Sequence, residues 1–192
     1  MVHPKPIASL LVIGLIVFSS WAQAEIQRSV GVGFMSWPEQ VDVTDSTKRS
    51  FPSTAQFYTP SFHYGHRDYR NRDGYLYEGY AFFGSADIES GGGLTYFQRR
   101  VPVYGFGGAV GWYFRPNSRQ VNIGFSLPMQ IRHAQWTDPP GGGEVSNKNL
   151  IAIGAVIDAR WRLTRDFAIN QRFGGFLGYK SALWMMNVEW TL

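Results

Sequence analysis

The stretch of residues 150–163, LIAIGAVIDARWRL, decides the fold. Its odd positions are apolar: Ile151, Ile153, Ala155, Ile157, Ala159, Trp161 and Leu163. Its even positions after Leu150 are small or charged: Ala152, Gly154, Val156, Asp158, Arg160 and Arg162. Side chains of a β-strand point alternately to opposite faces, so this period of two predicts an amphipathic strand and does not fit a helix.

The same alternation recurs along the chain in segments separated by turn residues. The other seven segments are residues 29–37, 54–65, 75–84, 94–114, 120–131, 167–177 and 182–192. Pro60 lacks a backbone N–H, which predicts an irregularity in the second segment. About eight strands, an even number, predict that both chain ends lie on one side of a sheet closed into a barrel.

The connections differ in length and suggest an orientation. Residues 38–53 and 132–149 are expected to be long loops, and residues 66–74 and 85–93 shorter ones. Residues 115–119 and 164–166 are expected to be tight turns. In membrane barrels the long loops lie outside the cell and the short turns in the periplasm.

The amino terminus has the pattern of a secretory signal. Lys5 supplies a positive charge, residues 7–18 form an apolar run, and Ala22-Gln23-Ala24 offers small residues at a cleavage site. The run is shorter than the roughly 20 residues of a spanning helix. We therefore predict a cleaved signal peptide over residues 1–24 and one barrel domain over residues 25–192.

The composition favours a membrane location for that domain. The chain has 22 Gly, 16% aromatic residues, 17% charged residues and a mean hydropathy of -0.19. A soluble domain carries about 25% charged residues. No stretch after residue 24 has 18 consecutive apolar residues, so a spanning domain would have to be an all-β, antiparallel, up-and-down transmembrane barrel.

The face opposite the apolar one is rich in small residues and carries a few charges. The charged residues are Glu78, Asp158, Arg160, Arg162, Arg172 and Glu189, three of each sign. An eight-stranded barrel encloses only enough room for side chains, and buried charges must be paired. We therefore expect a salt-bridged plug inside the barrel and no pore. A catalytic cluster is the alternative interpretation of these charges.

Aromatic residues on the apolar face are expected to form girdles at the two membrane interfaces. They are Tyr58, Tyr64, Tyr75, Tyr77, Tyr104, Trp112, Trp161, Trp184 and Trp190. Some of them could instead line a ligand groove.

With these features the chain resembles the small eight-stranded outer-membrane barrels, the OmpA-like and OmpX-like group. Its carboxyl-terminal run is similar to the signal that the barrel-assembly machinery reads in that group: Trp184, Met186, Val188, Trp190 and Leu192. That signal usually ends in an aromatic residue, whereas this chain ends in Leu192. The resemblance implies a Gram-negative outer-membrane location, with outer-membrane lipid and the assembly machinery as partners.

The leading functional hypothesis is a non-enzymatic barrel, porin-like in architecture, whose outer loops contribute to envelope integrity, adhesion or another surface interaction with a ligand. The first alternative is an outer-membrane lipid-modifying enzyme of the lipid A deacylase or acyltransferase type. Such chemistry needs a histidine with a serine and an acidic partner, and His133 near the outer rim is the weak candidate. A small-ligand carrier and a soluble lipocalin-like barrel, with its apolar face inward, are further alternatives.

The sequence predicts no cofactor, metal site or nucleic-acid partner. It has no cysteine and only four histidines, too few clustered ligands for a zinc-type centre. Neither Gly91-Gly92-Gly93 nor Gly141-Gly142-Gly143 has the Lys-Ser/Thr that would follow in a phosphate loop. The net charge of +4 is small and scattered over turns.

Overall fold

The computed structural model describes residues 25–70, 73–90, 96–114, 120–177 and 181–192. These ranges contain nine strands: β1 Glu25–Thr44, β2 Ser50–Arg70, β3 Asp73–Ser90, β4 Phe97–Phe114, β5 Val121–Ala134, β6 Glu144–Val145, β7 Asn149–Arg162, β8 Phe167–Phe176 and β9 Ser181–Thr191. No helix long and apolar enough to cross a membrane occurs in the described part of the chain. The predicted signal peptide and the predicted turn at residues 115–119 lie outside it.

Eight of the strands form a closed antiparallel ring. Each long strand pairs with the next along the chain, and β1 pairs with both β2 and β9, which closes the sheet. The two-residue β6 belongs to the loop between β5 and β7 and pairs with the outer end of β1. The prediction of an up-and-down barrel of about eight strands is confirmed. Closure leaves no unpaired edge to face lipid.

The apolar face of the strands points outward. Ile157 and Phe106 are 65% and 61% exposed, whereas the alternating Asp158 and Arg160 are buried. This is the reverse of a lipocalin-like barrel, in which the apolar face would point inward. All nine predicted girdle residues lie on the outer surface and are exposed or half-buried.

On one side the barrel extends well beyond the length that a bilayer crossing requires. β1 has 20 residues and β2 has 21, about twice the 9–11 residues that cross a bilayer. Glu25, the β7–β8 turn and Leu192 share the opposite, shorter end, which the loop-length rule makes the periplasmic one.

The prediction that residues 38–53 form a loop is wrong. β1 continues to Thr44, β2 begins at Ser50, and only the turn between them is irregular. Pro38 does not end the strand, because the pairing of β1 with β9 stops at Ser36 and the missing N–H of Pro38 is not needed there. Val41 and Val43 continue the inward-facing alternation.

The shorter loop predictions for residues 66–74 and 85–93 are wrong over their described residues, and residues 71–72 and 91–93 lie outside these. β3 runs through residues 85–90, with a register shift between Ala86 and Ile88. β2 continues to Arg70 and β3 already begins at Asp73. In both places turn-forming residues are overridden by the pairing of neighbouring strands.

The prediction that Pro60 disturbs its strand is confirmed. The β2–β3 register lacks partners for Thr59 and Pro60, although β2 continues without a break. The β5–β7 register has a similar gap at Leu127 and Pro128.

The lipid-facing assignment can be tested at Ile157. Replacing it with arginine places a charge against lipid near the middle of the spanning band, and we expect a loss of about 2–4 kcal/mol of unfolding free energy. The measurement is urea unfolding of the barrel in phospholipid vesicles. Leu163→Arg, at the periplasmic interface, is the matched control and should cost no more than about 1 kcal/mol. Equal effects at the two positions would contradict this orientation.

Candidate functional site: the barrel interior and the outer rim

A charged network fills the periplasmic half of the interior. We call it the polar network, and its arginine and carboxyl members are Arg67, Glu78, Asp158, Arg160, Arg172 and Glu189, three of each sign. All six are at least 93% buried. Because positive and negative charges balance, the network meets the condition under which a low-dielectric interior tolerates ions.

Arg172 is the centre of the polar network. Its Nη2 donates to Glu78 Oε2 at 2.8 Å, and its Nε lies 2.5 Å from Asp158 Oδ1. Asp158 and Arg172 are direct partners in the β7–β8 ladder, so strand pairing itself brings the two charges together. One guanidinium thus serves two carboxylates.

Glu189 on β9 forms ion pairs with the other two cations, Arg67 and Arg160. Its Oε1 accepts a hydrogen bond of 2.8 Å from Arg67 Nη2, and its Oε2 accepts one of 2.8 Å from Arg160 Nε. Asn170 Nδ2 adds a third donor at 3.3 Å. These contacts tie β2, β7, β8 and β9 together across the barrel.

His63 joins the network at Glu78. Its Nδ1 lies 3.1 Å from Glu78 Oε1, and its Nε2 lies 2.8 Å from Ser61 Oγ. Ser61, His63 and Glu78 thus contact one another in the same order as the members of a serine–histidine–carboxylate triad. Ser61 is 1% exposed, and both oxygens of Glu78 are bound by Arg172. This arrangement is closed to a substrate and serves to satisfy buried polar groups.

An apolar plug fills the outer half of the interior, above the polar network. It consists of Met35, Trp37, Phe57, Phe82, Phe176, Leu183 and Met185, each at most 5% exposed. Trp37 stacks on Phe57 with ring centroids 4.7 Å apart and meets Phe82 and Phe176 edge-on. The expectation that small residues and charges alone fill the interior is therefore incomplete.

An ion pair and a loop cover the apolar plug. Arg132 Nε donates to Glu39 Oε2 at 3.0 Å, and its guanidinium lies 4.9 Å from the centre of the Phe57 ring. Arg132 Nη1 also donates to the carbonyl oxygen of Asn147, at 2.7 Å. Through this hydrogen bond the buried pair links the barrel wall to the loop above it.

That loop, residues 135–148, is the rim loop. Trp136 is buried and meets the edge of Phe57, and Tyr96 Oη donates to the carbonyl oxygen of Thr137. Val145 pairs with Val43 of β1. Although Gly141 and Gly142 adopt positive φ angles of 86° and 91°, the rest of the loop is held by side-chain and ladder contacts.

Electrostatic contacts also order the exposed rim. Asp138 Oδ2 accepts a hydrogen bond of 2.9 Å from Lys148 Nζ, which is the main reason that the pKa of Asp138 is lowered. In the β1–β2 turn, hydrogen bonds from Thr47 and from the N–H of Arg49 lower the pKa of Asp45. Burial raises the pKa of Tyr96 to about 12, with a further contribution from Asp138.

The structure brings five of the six predicted interior charges into the polar network. Arg162, the last residue of β7, is half-buried, and Arg67 supplies the third cation instead. Arg67 and Arg132 were missed because the predicted strands ended too early, at residues 65 and 131. Continuing the alternation from Ser61 and His63, or from Gln130, would have found both.

The candidate catalytic residue His133 lies at the outer rim. Its Nδ1 is 2.6 Å from Asn149 Oδ1, and its ring lies 5.1 Å from that of Tyr104. An asparagine and a tyrosine are not the serine and carboxylate that acyl chemistry requires. In the described part of the chain, no group of three metal-binding side chains is arranged to hold a metal.

Known structures share this architecture, although no family model and no curated protein matches the sequence. Ail, the attachment invasion locus protein of Yersinia pestis, superposes with a TM-score of 0.52 and 14% identity. The match covers 88% of this chain and 99% of that one. This chain has the fold of the outer-membrane β-barrels. Neisserial surface protein A (NspA) matches with a TM-score of 0.41 and 13% identity, over 84% of this chain and 97% of that one.

The polar network can be tested at its centre. Arg172→Met removes the cation between Glu78 and Asp158 and leaves two buried carboxylates without their main partner. Because breaking a buried pair costs about 3–5 kcal/mol, the unfolding free energy in vesicles should fall by that amount. Arg165→Met, in the exposed β7–β8 turn, should stay within about 0.5 kcal/mol of wild type. Equal stability of the two variants would show that the network adds nothing.

The rim contact of Asp138 gives a pH prediction. A carboxyl group with a lowered pKa in the folded state stabilises that state above its ordinary pKa of 3.8, and this contribution is lost as the pH falls through the lowered value. The midpoint of the Asp138 carboxyl carbon shift in an NMR titration should lie below 3.8. Lys148→Met should move it upward, since the Lys148 hydrogen bond is the first cause of the shift. An unmoved midpoint would show that this contact does not form.

Proposed function

We propose that the chain is a non-enzymatic protein of the Gram-negative outer membrane that works through its outer rim, in surface interaction, adhesion or envelope integrity. The observation that carries the proposal is the filled interior. The polar network, the apolar plug and the Glu39–Arg132 pair follow one another along the barrel axis, and each is buried. A filled barrel of eight strands leaves function to its ends.

The form of the rim supports a role in contact with partners. The first four strands carry the wall beyond the bilayer, and the rim loop is anchored to β1 and to Tyr96. A surface ordered before binding loses little conformational entropy when a partner docks. Ail was solved with a heparin analogue, which supports the idea that a barrel of this fold can present a ligand-binding surface.

Outer-membrane lipid and the assembly machinery are the other partners of this proposal. Lipid would contact the apolar outer face, with the predicted girdle residues at the two interfaces. The assembly machinery would read the outward face of β9, where Trp184, Met186, Val188, Trp190 and Leu192 are exposed or half-buried. A cleaved signal peptide over residues 1–24 would deliver the chain to the periplasm.

The proposal is tested in cells that lack the gene. Wild type, a rim variant (Lys48→Gly, Pro140→Ser, Glu144→Ser) and the periplasmic-turn variant Arg165→Ser are expressed in them, and all the substituted residues are exposed. Adhesion to immobilised matrix, binding of labelled heparin and survival in detergent with EDTA are measured. We expect the rim variant to lose at least one activity that wild type restores, and Arg165→Ser to keep it.

The closed interior is tested on the same proteins in planar bilayers. Wild type should give no steady conductance, and neither should Arg132→Ala, because the apolar plug lies beneath that residue. A regular conductance step in wild type would overturn the plug. Identical behaviour of the rim and turn variants in all three cell assays would overturn a role for the rim.

A further inference from the structure

A recess with two adjacent glycines at its floor interrupts the lipid-facing wall of the barrel. Tyr64, Gly79, Gly108 and Met129 are consecutive partners across β2, β3, β4 and β5, so they form one row around the wall. Tyr64 and Met129 are 50% and 51% exposed and flank two adjacent glycines. The recess, of about 520 Å³, has an almost wholly apolar lining.

Packing within this chain does not require glycine at position 79, on the floor of the recess. A Cβ added to Gly79 would meet no atom within 4 Å, and one added to Gly108 would meet only the carbonyl oxygen of Glu78, at 3.0 Å. Gly84, Gly105 and Gly124 lie on the inward face of their strands, and a Cβ there would overlap a backbone oxygen of the neighbouring strand. Glycine weakens a strand, and where it does so without internal need it often marks the close approach of another molecule.

The level of the recess in the membrane limits what can occupy it. Gly79 lies four residues from Tyr75 along β3, and Gly108 lies four residues from Trp112 along β4. Tyr75 and Trp112 are predicted girdle residues near the periplasmic end, and strands rise about 3.3 Å per residue. With the usual tilt of about 40°, four residues reach roughly 10 Å into a hydrocarbon band about 25 Å tall. Acyl chains are the molecules present at that depth.

The surroundings of the recess distinguish an acyl chain from a second barrel. The row above contains Phe62 and Phe106, and the row below contains Tyr77 and Val110, each at least 54% exposed. These side chains project beyond the glycine floor. The convex wall of a second copy would rest on them and leave a void below, whereas a single flexible chain can reach the floor.

A histidine lies on the periplasmic side of the recess. His66 is half-buried, its ring lies 6.3 Å from that of Tyr77, and both residues line the recess. A polar side chain that faces lipid needs a hydrogen-bonding partner, and the ester or headgroup of a periplasmic-leaflet phospholipid provides one. We propose that the Gly79–Gly108 recess is a binding site for one acyl chain of a phospholipid in the periplasmic leaflet.

The test uses a phosphatidylethanolamine with a photoreactive diazirine near the end of one acyl chain. The barrel is reconstituted in vesicles of this lipid, irradiated and mapped by mass spectrometry. We expect labelling of Tyr64, Tyr77 and Met129 to exceed that of Phe173 and Met186, which lie on β8 and β9 in the opposite wall, several-fold. Even labelling around the barrel would overturn the proposal.

Gly79→Leu fills the recess from a position where an added Cβ meets no atom within 4 Å, so the variant should fold and keep its heat-modifiable gel mobility. It should lose the excess labelling. Ala81→Leu, at the next lipid-facing position on β3, is the matched control and should retain it. Met129→Cys tests whether a second copy of the chain occupies the recess. The natural chain has no cysteine, so a disulfide could form only between the introduced cysteines of two copies. Unchanged labelling in Gly79→Leu, or a disulfide-linked dimer of Met129→Cys, would each overturn the acyl-chain site.

Discussion

The constraint on which the rest of the structure depends is that hydrocarbon offers no hydrogen bonds to the backbone. Every N–H and C=O that faces lipid must be paired within the chain, and a sheet can achieve this only by closing. The pairing of β1 with both β2 and β9 is that closure. The ladder gaps beside Pro60 and Pro128 are local and each affects one side of a strand, so the wall remains continuous.

Closing a barrel of eight strands creates a narrow interior, and this chain fills its two halves with different kinds of side chain. In the periplasmic half, three arginines and three carboxylates balance one another. In the outer half, aromatic and aliphatic side chains pack as in a soluble core. The ion pairs are costly to desolvate, and pairing across several strands recovers this cost only when every partner is present. The apolar plug needs no such balance, and it packs against the Glu39–Arg132 pair and the rim loop.

The sequence predicted the lipid-facing side of the wall well, because alternation is a local property of each strand. It placed Ile157 outside and Asp158 inside without knowledge of any neighbour. The prediction of strand ends from the sequence failed where turn-forming residues lie within long strands, as at Pro38. A proline is tolerated there only because the partner strand on that side has already ended, and this is a fact about β9 that the residues around Pro38 do not contain.

The sequence by itself determined the architecture: amphipathic strands in even number, an apolar exterior and a charged interior follow from period-two patterning and from the cost of burying polar groups in lipid. Only the tertiary structure decided which charges meet, because register between strands brings Arg67 to Glu189 across the barrel and Arg132 to Glu39 beneath the rim. It also decided that Gly79 and Gly108 lie side by side. Contacts between residues distant in the chain depend on strand order, tilt and closure together, and no local pattern encodes these.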